Sequence, residues 1–529
     1  MKVELYDTTL RDGAQMEGMS LSVEDKLKIA RKLDELGVHY IEGGWPGSNP
    51  KDAEFFVRAQ AINFQNARLA AFGSTRRAGG DAETDANLRA LLDARTPVVT
   101  LVGKTNDMHV RDVLETTLEE NLAMIADSIR LMAANGRTVF FDAEHFFDGF
   151  VSNRAYAMRC LTAAASAGAH CLVLCDTNGG MTTAQIVEII RAVQAEVDVP
   201  LGIHTHNDAD LAVANTLAAV GEGVRQVQAC VNGYGERCGN ANLMSIIANL
   251  KLKLGMDVVS DDQLAMLTEV SHYVSEVVNM VPDPYQPYVG TSAFTHKGGL
   301  HVAAVLKSDV SYQHVPPASV GNTRRLLVSE LGGSRAVQQK LKEVGFEFEL
   351  SRDDARVLQE QVNEQESKGY QYEGAEASFE MLVRRTRPGY VPPFELDDFW
   401  IVERRASARA EHDREMQAEA MAKVRIGGEM HQTAAEGNGP VNALDAAVRK
   451  ALVQFFPAIY AVKLIDFKVR IIDSAAGTSA AVRVLIESTD GERTWTTVGA
   501  STDLIEASWL ALADSLEYFL VKRSGWLPG

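Results

Sequence analysis

Through its first 255 residues the chain repeats one pattern: a short apolar run, a polar turn, then apolar positions spaced as on one face of a helix. The apolar runs predict eight strands, ending near Asp12, Gly44, Gly73, Val102, Glu144, Asp176, His206 and Val231. Helical patterns lie between them, over Ser22–Leu36, Leu118–Ala134, Asn153–Ala167, Thr183–Ala195 and Asp210–Glu222. Eight strand–helix units in this length predict an α/β fold, a (β/α)8 TIM barrel over residues 1–275. A doubly wound open sheet uses the same local units. The count of eight, and the lack of GxGxxG after the first strand, favour the barrel.

Between about 256 and 390 the pattern changes to helices broken by loops such as PDPYQPYVG. Residues 276–390 are expected to form a mostly helical connecting region that packs on the barrel or on a partner chain. From 391 to 529 the sequence repeats itself weakly. FELDDFWIVERR resembles KLIDFKVRIID, AEAMAKVRI resembles AAVRVLIES, and HQTAAEGNGPVNALDAAVRKAL resembles TWTTVGASTDLIEASWLALADSL. Each half predicts three strands and a helix, giving an α+β domain of two β3α repeats. It carries no His/Asp/Glu cluster, so ligand sensing or assembly is expected of it.

Composition changes this picture little. At 529 residues the chain exceeds one hydrophobic core, so two to four domains are expected. A formal charge of -19 and the lack of a Lys/Arg stripe argue against nucleic acid and anionic membrane surfaces as partners. No apolar run is long enough for a bilayer, and MKVELYDTTLRDG reads straight into a strand rather than a signal peptide. Five cysteines, an odd number without a CxxC pair, predict reduced thiols and a cytoplasmic setting.

Candidate chemistry lies at the strand C-terminal ends, the functional face of such a barrel. Thr8-Thr9-Leu10-Arg11-Asp12-Gly13, Asp142-Ala143-Glu144-His145, Cys175-Asp176-Thr177-Asn178 and His204-Thr205-His206-Asn207 converge there, with Gly233–Asn240 after the eighth strand. Side chains two apart on a strand point the same way, so His204 and His206 can share one ion; a satisfied, half-buried histidine pair is the plain alternative. Asp12 across the mouth and Asn240 as a further oxygen ligand would complete a set suited to Zn²⁺, Mn²⁺ or Mg²⁺. Arg11 is a candidate for binding a carboxylate or developing oxyanion, against an ion pair with an acid such as Glu42. Glu144 reads as a candidate base or a partner to Arg11, against a supporting hydrogen-bond acceptor. The glycine-rich Asn232–Gly239 stretch either admits close backbone approach or only makes a turn.

Taken together, YDTTLRDGAQ, EGGWPGSNPKD, DAEHFFDG, CDTNGG, GIHTHND and NGYGERCGNANL resemble the barrel metallo-enzymes of the α-isopropylmalate, homocitrate and citramalate synthase family. SAFTHKGGLHVAAV, VGNTRRLLVSELGG and AAEGNGPVNALDAAVRKAL extend the resemblance through the connecting and C-terminal regions. It implies metal ligands at Asp12, His204, His206 and Asn240, and an arginine steadying the keto oxygen at Arg11. It further implies a catalytic glutamate at Glu144, keto-acid contacts at Thr177 and Thr205, and a catalytic histidine at His301. In the family the connecting region delivers that histidine, commonly to the neighbouring subunit. His301 is followed here by Val302-Ala303-Ala304, where many members carry an acid and a glycine.

The stretch around Trp45 is most similar to the longer citramalate synthase branch. That implies an acyltransferase condensing acetyl-CoA with pyruvate in isoleucine biosynthesis, as a homodimer or larger assembly inhibited by isoleucine through its C-terminal domain. The base is left open between Glu144 and His301. Rival expectations are an isopropylmalate or homocitrate synthase, a carbon–carbon lyase of the hydroxymethylglutaryl-CoA type, and a sensor whose barrel no longer turns over.

Overall fold

The computed structural model describes residues 3–296, 301, 304–305, 307–308, 311–326, 352–372, 374–387, 389–404, 417–472 and 480–524. Val302 and Ala303, and the second half of VGNTRRLLVSELGG (327–333), lie outside the described residues. Two compact units form: Met1–Phe294 with Gln313–Arg324, and Thr295–Tyr312 with Arg325–Gly529. The segment 276–390 is thus shared between them.

The first unit is a closed barrel of eight parallel strands: β1 (Glu4–Asp7), β2 (Tyr40–Gly44), β3 (Arg68–Ser74), β4 (Val98–Lys104), β5 (Thr138–Glu144), β6 (Cys171–Asp176), β7 (Leu201–Thr205) and β8 (Gln226–Ala229). β1 closes on β8 with Glu4 opposite Gln226 and Asp7 opposite Ala229. The surrounding helices are α1 (Val23–Leu36), α2 (Pro50–Ala59), α3 (Ala86–Asp93), α4 (Leu118–Ala134), α5 (Phe146–Ala167), α6 (Thr183–Gln194), α7 (Ala212–Gly221) and α8 (Leu243–Leu252).

Local sequence sets their ends. Ser22 caps α1 in a reciprocal box with Asp25, and Gly37, at φ 89°, ends it in the left-handed conformation. The helix expected from Asn153 is the second part of α5. Asn153 is non-helical at φ -150° and accepts from Tyr156 N–H, so it restarts the helix after a kink.

Strand alternation sorts the barrel core into two layers. Leu5, Ile41, Val99, Leu101, Phe141, Leu172, Leu174, Ile203 and Val227 face the helices and belong to one large core. Tyr6, Tyr40, Ala70, Val98, Phe140, Cys171, Val173 and Cys175 fill the barrel interior. Tyr40 meets Phe140 edge to face at 5.0 Å. Farther along the same strands the interior turns polar, with Glu42, Thr100, Asp142, His204 and Gln228 all buried.

β1, β7 and β8 end earlier than the apolar pattern predicts, at Asp7, Thr205 and Ala229. At the first of these the cause is visible. The Asp7 carboxylate accepts from Thr9 N–H at 3.0 Å and Thr9 Oγ1–H at 2.7 Å, which turns the chain out of the ladder.

In the second unit, helices Arg352–Ser367 and Glu376–Arg385 precede two antiparallel three-stranded sheets. Glu395–Arg404, Gln417–Ile426 and Glu429–Gly437 form one, followed by helix Pro440–Leu452; Lys463–Ile471, Val482–Thr489 and Thr494–Ser501 form the other, followed by helix Leu504–Ser524. The duplication extends to detail. Each first strand has a register shift, between Leu396 and Asp398 and between Leu464 and Asp466. Each third strand sends a threonine hydroxyl to its helix at 2.7 Å, Thr433 to Ala447 O and Thr497 to Ala511 O. Among the described residues no helix is long and apolar enough to cross a membrane. All five cysteines are free, with only Cys238 exposed.

Candidate active site

A cavity of about 380 Å³ opens at the C-terminal ends of the barrel strands, lined by residues that include Arg11, Asp12, Glu144, Thr177, His204 and His206. Neighbouring residues on a strand point to opposite faces, yet Arg11 and Asp12 both line this cavity. They manage it because the chain beyond Asp7 is a turn, with Arg11 N–H and Gly13 N–H donating to Thr8 O at 3.2 and 3.0 Å.

Arg11 is held on three sides. Its Nε donates to Glu42 Oε1 at 2.5 Å, a terminal nitrogen lies 3.6 Å from Asp12 Oδ2, and the guanidinium sits 3.8 Å over the Phe72 ring. The Glu42 ion pair, the less favoured sequence alternative, is therefore present together with the cavity position. Burial works against the guanidinium charge, but Glu42 and Asp12 outweigh it and hold Arg11 protonated beyond its ordinary range.

Asp12, His204 and His206 bring ligand atoms within 4.8 Å of one another, all three buried. Asp12 Oδ2 lies 3.2 Å from His204 Nε2 and 3.9 Å from His206 Nε2, and the two Nε2 atoms are 3.3 Å apart. Burial would raise the Asp12 carboxyl, but Arg11 and then His204 outweigh it and hold it well below the usual carboxylate range. Burial, then the charge of His204, pushes His206 down to about 4, so its ring stays neutral near pH 7. Burial also opposes protonation of His204, but the hydrogen bond to Asp12 outweighs it and raises that ring.

The donor set fits a divalent cation. A carboxylate oxygen and two imidazole nitrogens face one point, and Asn240 Oδ1 is buried with no hydrogen-bond partner. Asn240 bridges to His206 in an isolated antiparallel pair, and its amide nitrogen donates to Cys230 Sγ at 3.3 Å. The glycines of 232–239 place it there. A Cβ on Gly235, at φ 153°, would meet Asn240 Oδ1 at 2.7 Å, and one on Gly239, at φ 84°, would meet Gly233 O at 2.0 Å. This stretch is a tight turn that folds Asn240 beneath His206.

Glu144 ends β5, and its Oε2 pairs with Lys104 Nζ at 2.5 Å. Thr177 Oγ1 accepts from His145 N–H at 2.8 Å, which leaves its hydroxyl hydrogen for an acceptor in the cavity. Arg237 grips Asp208 through two nitrogens at 2.7 and 2.9 Å and also donates to Thr177 O at 2.7 Å.

Thr205 departs from expectation. It lies between two inward histidines and so faces outward, where its hydroxyl contacts Ala212 O at 3.1 Å and Thr216 Oγ1 at 3.0 Å. Its side chain braces α7 and does not line the cavity. His301 belongs to the second unit, exposed and stacked on Tyr312 at 4.2 Å.

Sequence reasoning passed over Lys104, Arg237 and Gln228. Lys104 and Gln228 carried a legible signal, since each is a polar residue at an inward position of a strand; Gln226 and Gln228, two apart on β8, are costly to bury without a role. Arg237 lies in a loop, where spacing gives no direction.

Comparison with known proteins places these residues in context. Residues 2–274 match the HMGL-like family model, 288–369 the homocitrate synthase post-HMGL domain-like model, and 373–520 the LeuA allosteric (dimerisation) domain. The chain is 50% identical over 520 residues to the (R)-citramalate synthase of Geobacter sulfurreducens, covering 98% of each chain. It is 51% identical over 522 residues to that of Aquifex aeolicus, again covering 98% of each. Similarity extends to the probable 2-isopropylmalate synthase of Methanopyrus kandleri, at 34% identity with 96% of each chain covered.

Proposed function

The chain belongs to the (R)-citramalate synthase family, and from that premise we propose that it condenses acetyl-CoA with pyruvate and water to give (R)-citramalate and CoA. The observation that carries this reading is the convergence of Arg11, Glu144 and the Asp12/His204/His206 cluster on one cavity. Asp12, His204, His206 and Asn240 would hold a divalent ion, Mg²⁺, Mn²⁺ or Zn²⁺. Bound there, the ion supplies Lewis-acid polarisation of the 2-keto acid.

The chain's own groups account for the remainder. Thr177 offers its hydroxyl hydrogen to the keto-acid carboxylate. Arg11, fixed against Glu42 and Phe72, holds positive charge where the keto oxygen becomes an alkoxide. A base takes a proton from the acetyl methyl, and that carbon attacks the keto carbon. Glu144 is the base the barrel supplies, with its carboxylate held by Lys104; His301 is the alternative that the family resemblance implies. Water then cleaves the thioester and releases CoA.

Thiol release from acetyl-CoA with Mg²⁺ or Mn²⁺ tests this across pyruvate, 2-ketobutyrate, 2-ketoisovalerate and 2-ketoglutarate. Release mainly with pyruvate supports the reading. Preference for 2-ketoisovalerate or 2-ketoglutarate favours the second reading, an isopropylmalate or homocitrate synthase, which the 34% identical relative and the 288–369 match support.

Residues 391–529 are proposed as the regulatory and dimerising domain, with isoleucine as effector, in a cytoplasmic enzyme of isoleucine biosynthesis. Exposed Trp400, Val402, Ile465, Phe467, Val469 and Ile471 support burial against a second copy. Inhibition and calorimetry with isoleucine on the full chain test the effector; neither binding nor inhibition would remove it.

A further inference from the structure

We infer that Gln228 is a positioning residue that fixes which nitrogen of His204 faces the Asp12/His206 cluster. This role rests on the proposed metal site and extends it by one shell of contacts.

Gln228 lies on β8, buried, with its side-chain amide between two polar groups. Its Oε1 is 2.9 Å from His204 Nδ1, and its Nε2 donates to Asp142 Oδ1 at 2.9 Å. A primary amide has one acceptor end and one donor end. The amide nitrogen, which can only donate, faces Asp142 Oδ1, so the acceptor end is left for His204. Nδ1 must then carry a hydrogen, so when a cation takes the place of the proton that Nε2 shares with Asp12, Nε2 is the nitrogen that offers a lone pair. Nε2 is the atom 3.2 Å from Asp12 Oδ2 and 3.3 Å from His206 Nε2.

The orientation of one buried amide thus selects the ring nitrogen available to a cation. His206 has no such device, since its Nδ1 is buried without a hydrogen-bond partner. Its direction comes from the Asn240 bridge instead. The two histidines of the pair are therefore held by different means, one through a side-chain relay rooted in β5 and one through backbone pairing.

The test compares Gln228→Met, Gln228→Glu and His206→Ala in the full chain, reading Mn²⁺ affinity by calorimetry on metal-free protein, with melting curves alongside. Met keeps the length and loses the acceptor; Glu keeps an acceptor toward Nδ1. Removing a partner that orients a metal-binding histidine typically costs about 10–100-fold in affinity, and that loss is expected for Gln228→Met, with most of it recovered in Gln228→Glu. Parental affinity in Gln228→Met, while His206→Ala loses the metal, would overturn the inference alone. Retention of metal by His206→Ala would overturn the metal-site reading itself. A measurement on the parent protein covers the case in which Gln228→Met fails to fold: ¹⁵N spectra of His204 should show a hydrogen on Nδ1 with and without Mn²⁺. A neutral ring protonated only at Nε2 would contradict the relay.

Discussion

The barrel mouth and the duplicated C-terminal unit bury charge in opposite ways. At the mouth, buried acids and bases are held in a polar layer that leaves a ligand oxygen, Asn240 Oδ1, without a hydrogen-bond partner. In the C-terminal unit the buried acids are neutralised. Arg385 pairs with both Asp514, at 2.7 Å, and Glu517; Ser378 Oγ–H donates to Asp514 at 2.5 Å; Lys522 reaches Glu380 at 3.0 Å. That unit instead leaves apolar side chains exposed on its strands. Unengaged polar atoms mark a place for a ligand to complete, whereas an uncovered apolar face marks a place for another surface.

The largest expected effect breaks this contrast at the mouth. His206→Ala should release the metal and bring thiol release down to background, checked by elemental analysis and the acetyl-CoA assay. Glu144→Gln comes next. A positioned acid–base group contributes about 10²–10⁴-fold, so a kcat loss of that order with bound metal retained identifies Glu144 as the base. A small loss, set beside a large one in His301→Ala, moves that role to His301.

On the other side of the comparison, lysines at Phe467 and Ile471 should weaken self-association by about tenfold or more, as loss of central apolar contacts does. Sedimentation would show it, with the metal content of the mouth untouched.

The smallest effect sharpens the electrostatic side. Burial pushes the Asp7 carboxyl up to about 7, against hydrogen bonds from Thr9 that lower it. An acid whose folded pKa is raised costs no stability below the usual carboxylate range, and the cost grows as pH rises toward 7. Asp7→Asn should therefore flatten the fall in melting temperature between pH 5 and pH 8 relative to the parent, and an unchanged slope would assign that fall to other groups.

Much was legible because it is periodic. Strand alternation and helical spacing gave the eight barrel units. Similarity between the two halves gave the C-terminal repeat, which the matched register shifts and threonine bonds then bore out. The placing of His204 and His206 on one face followed from period two alone. The same rule, applied one residue further, turns Thr205 outward, against the keto-acid contact that the family resemblance implies for it.

What the sequence by itself determined was the class of fold, the family and the strand ends where chemistry gathers, because these depend on local spacing and on motifs contiguous in the chain. What only the tertiary structure decided was direction and partnership. Arg11 pairs with Glu42 while facing the cavity, Lys104 meets Glu144 across two strands, and Asp142, Gln228 and His204 join three strands in one relay. Hydrogen bonds and ion pairs act over about 3 Å in space. The residues they join lie 24 to 86 positions apart in the last of these, a separation that only barrel closure removes.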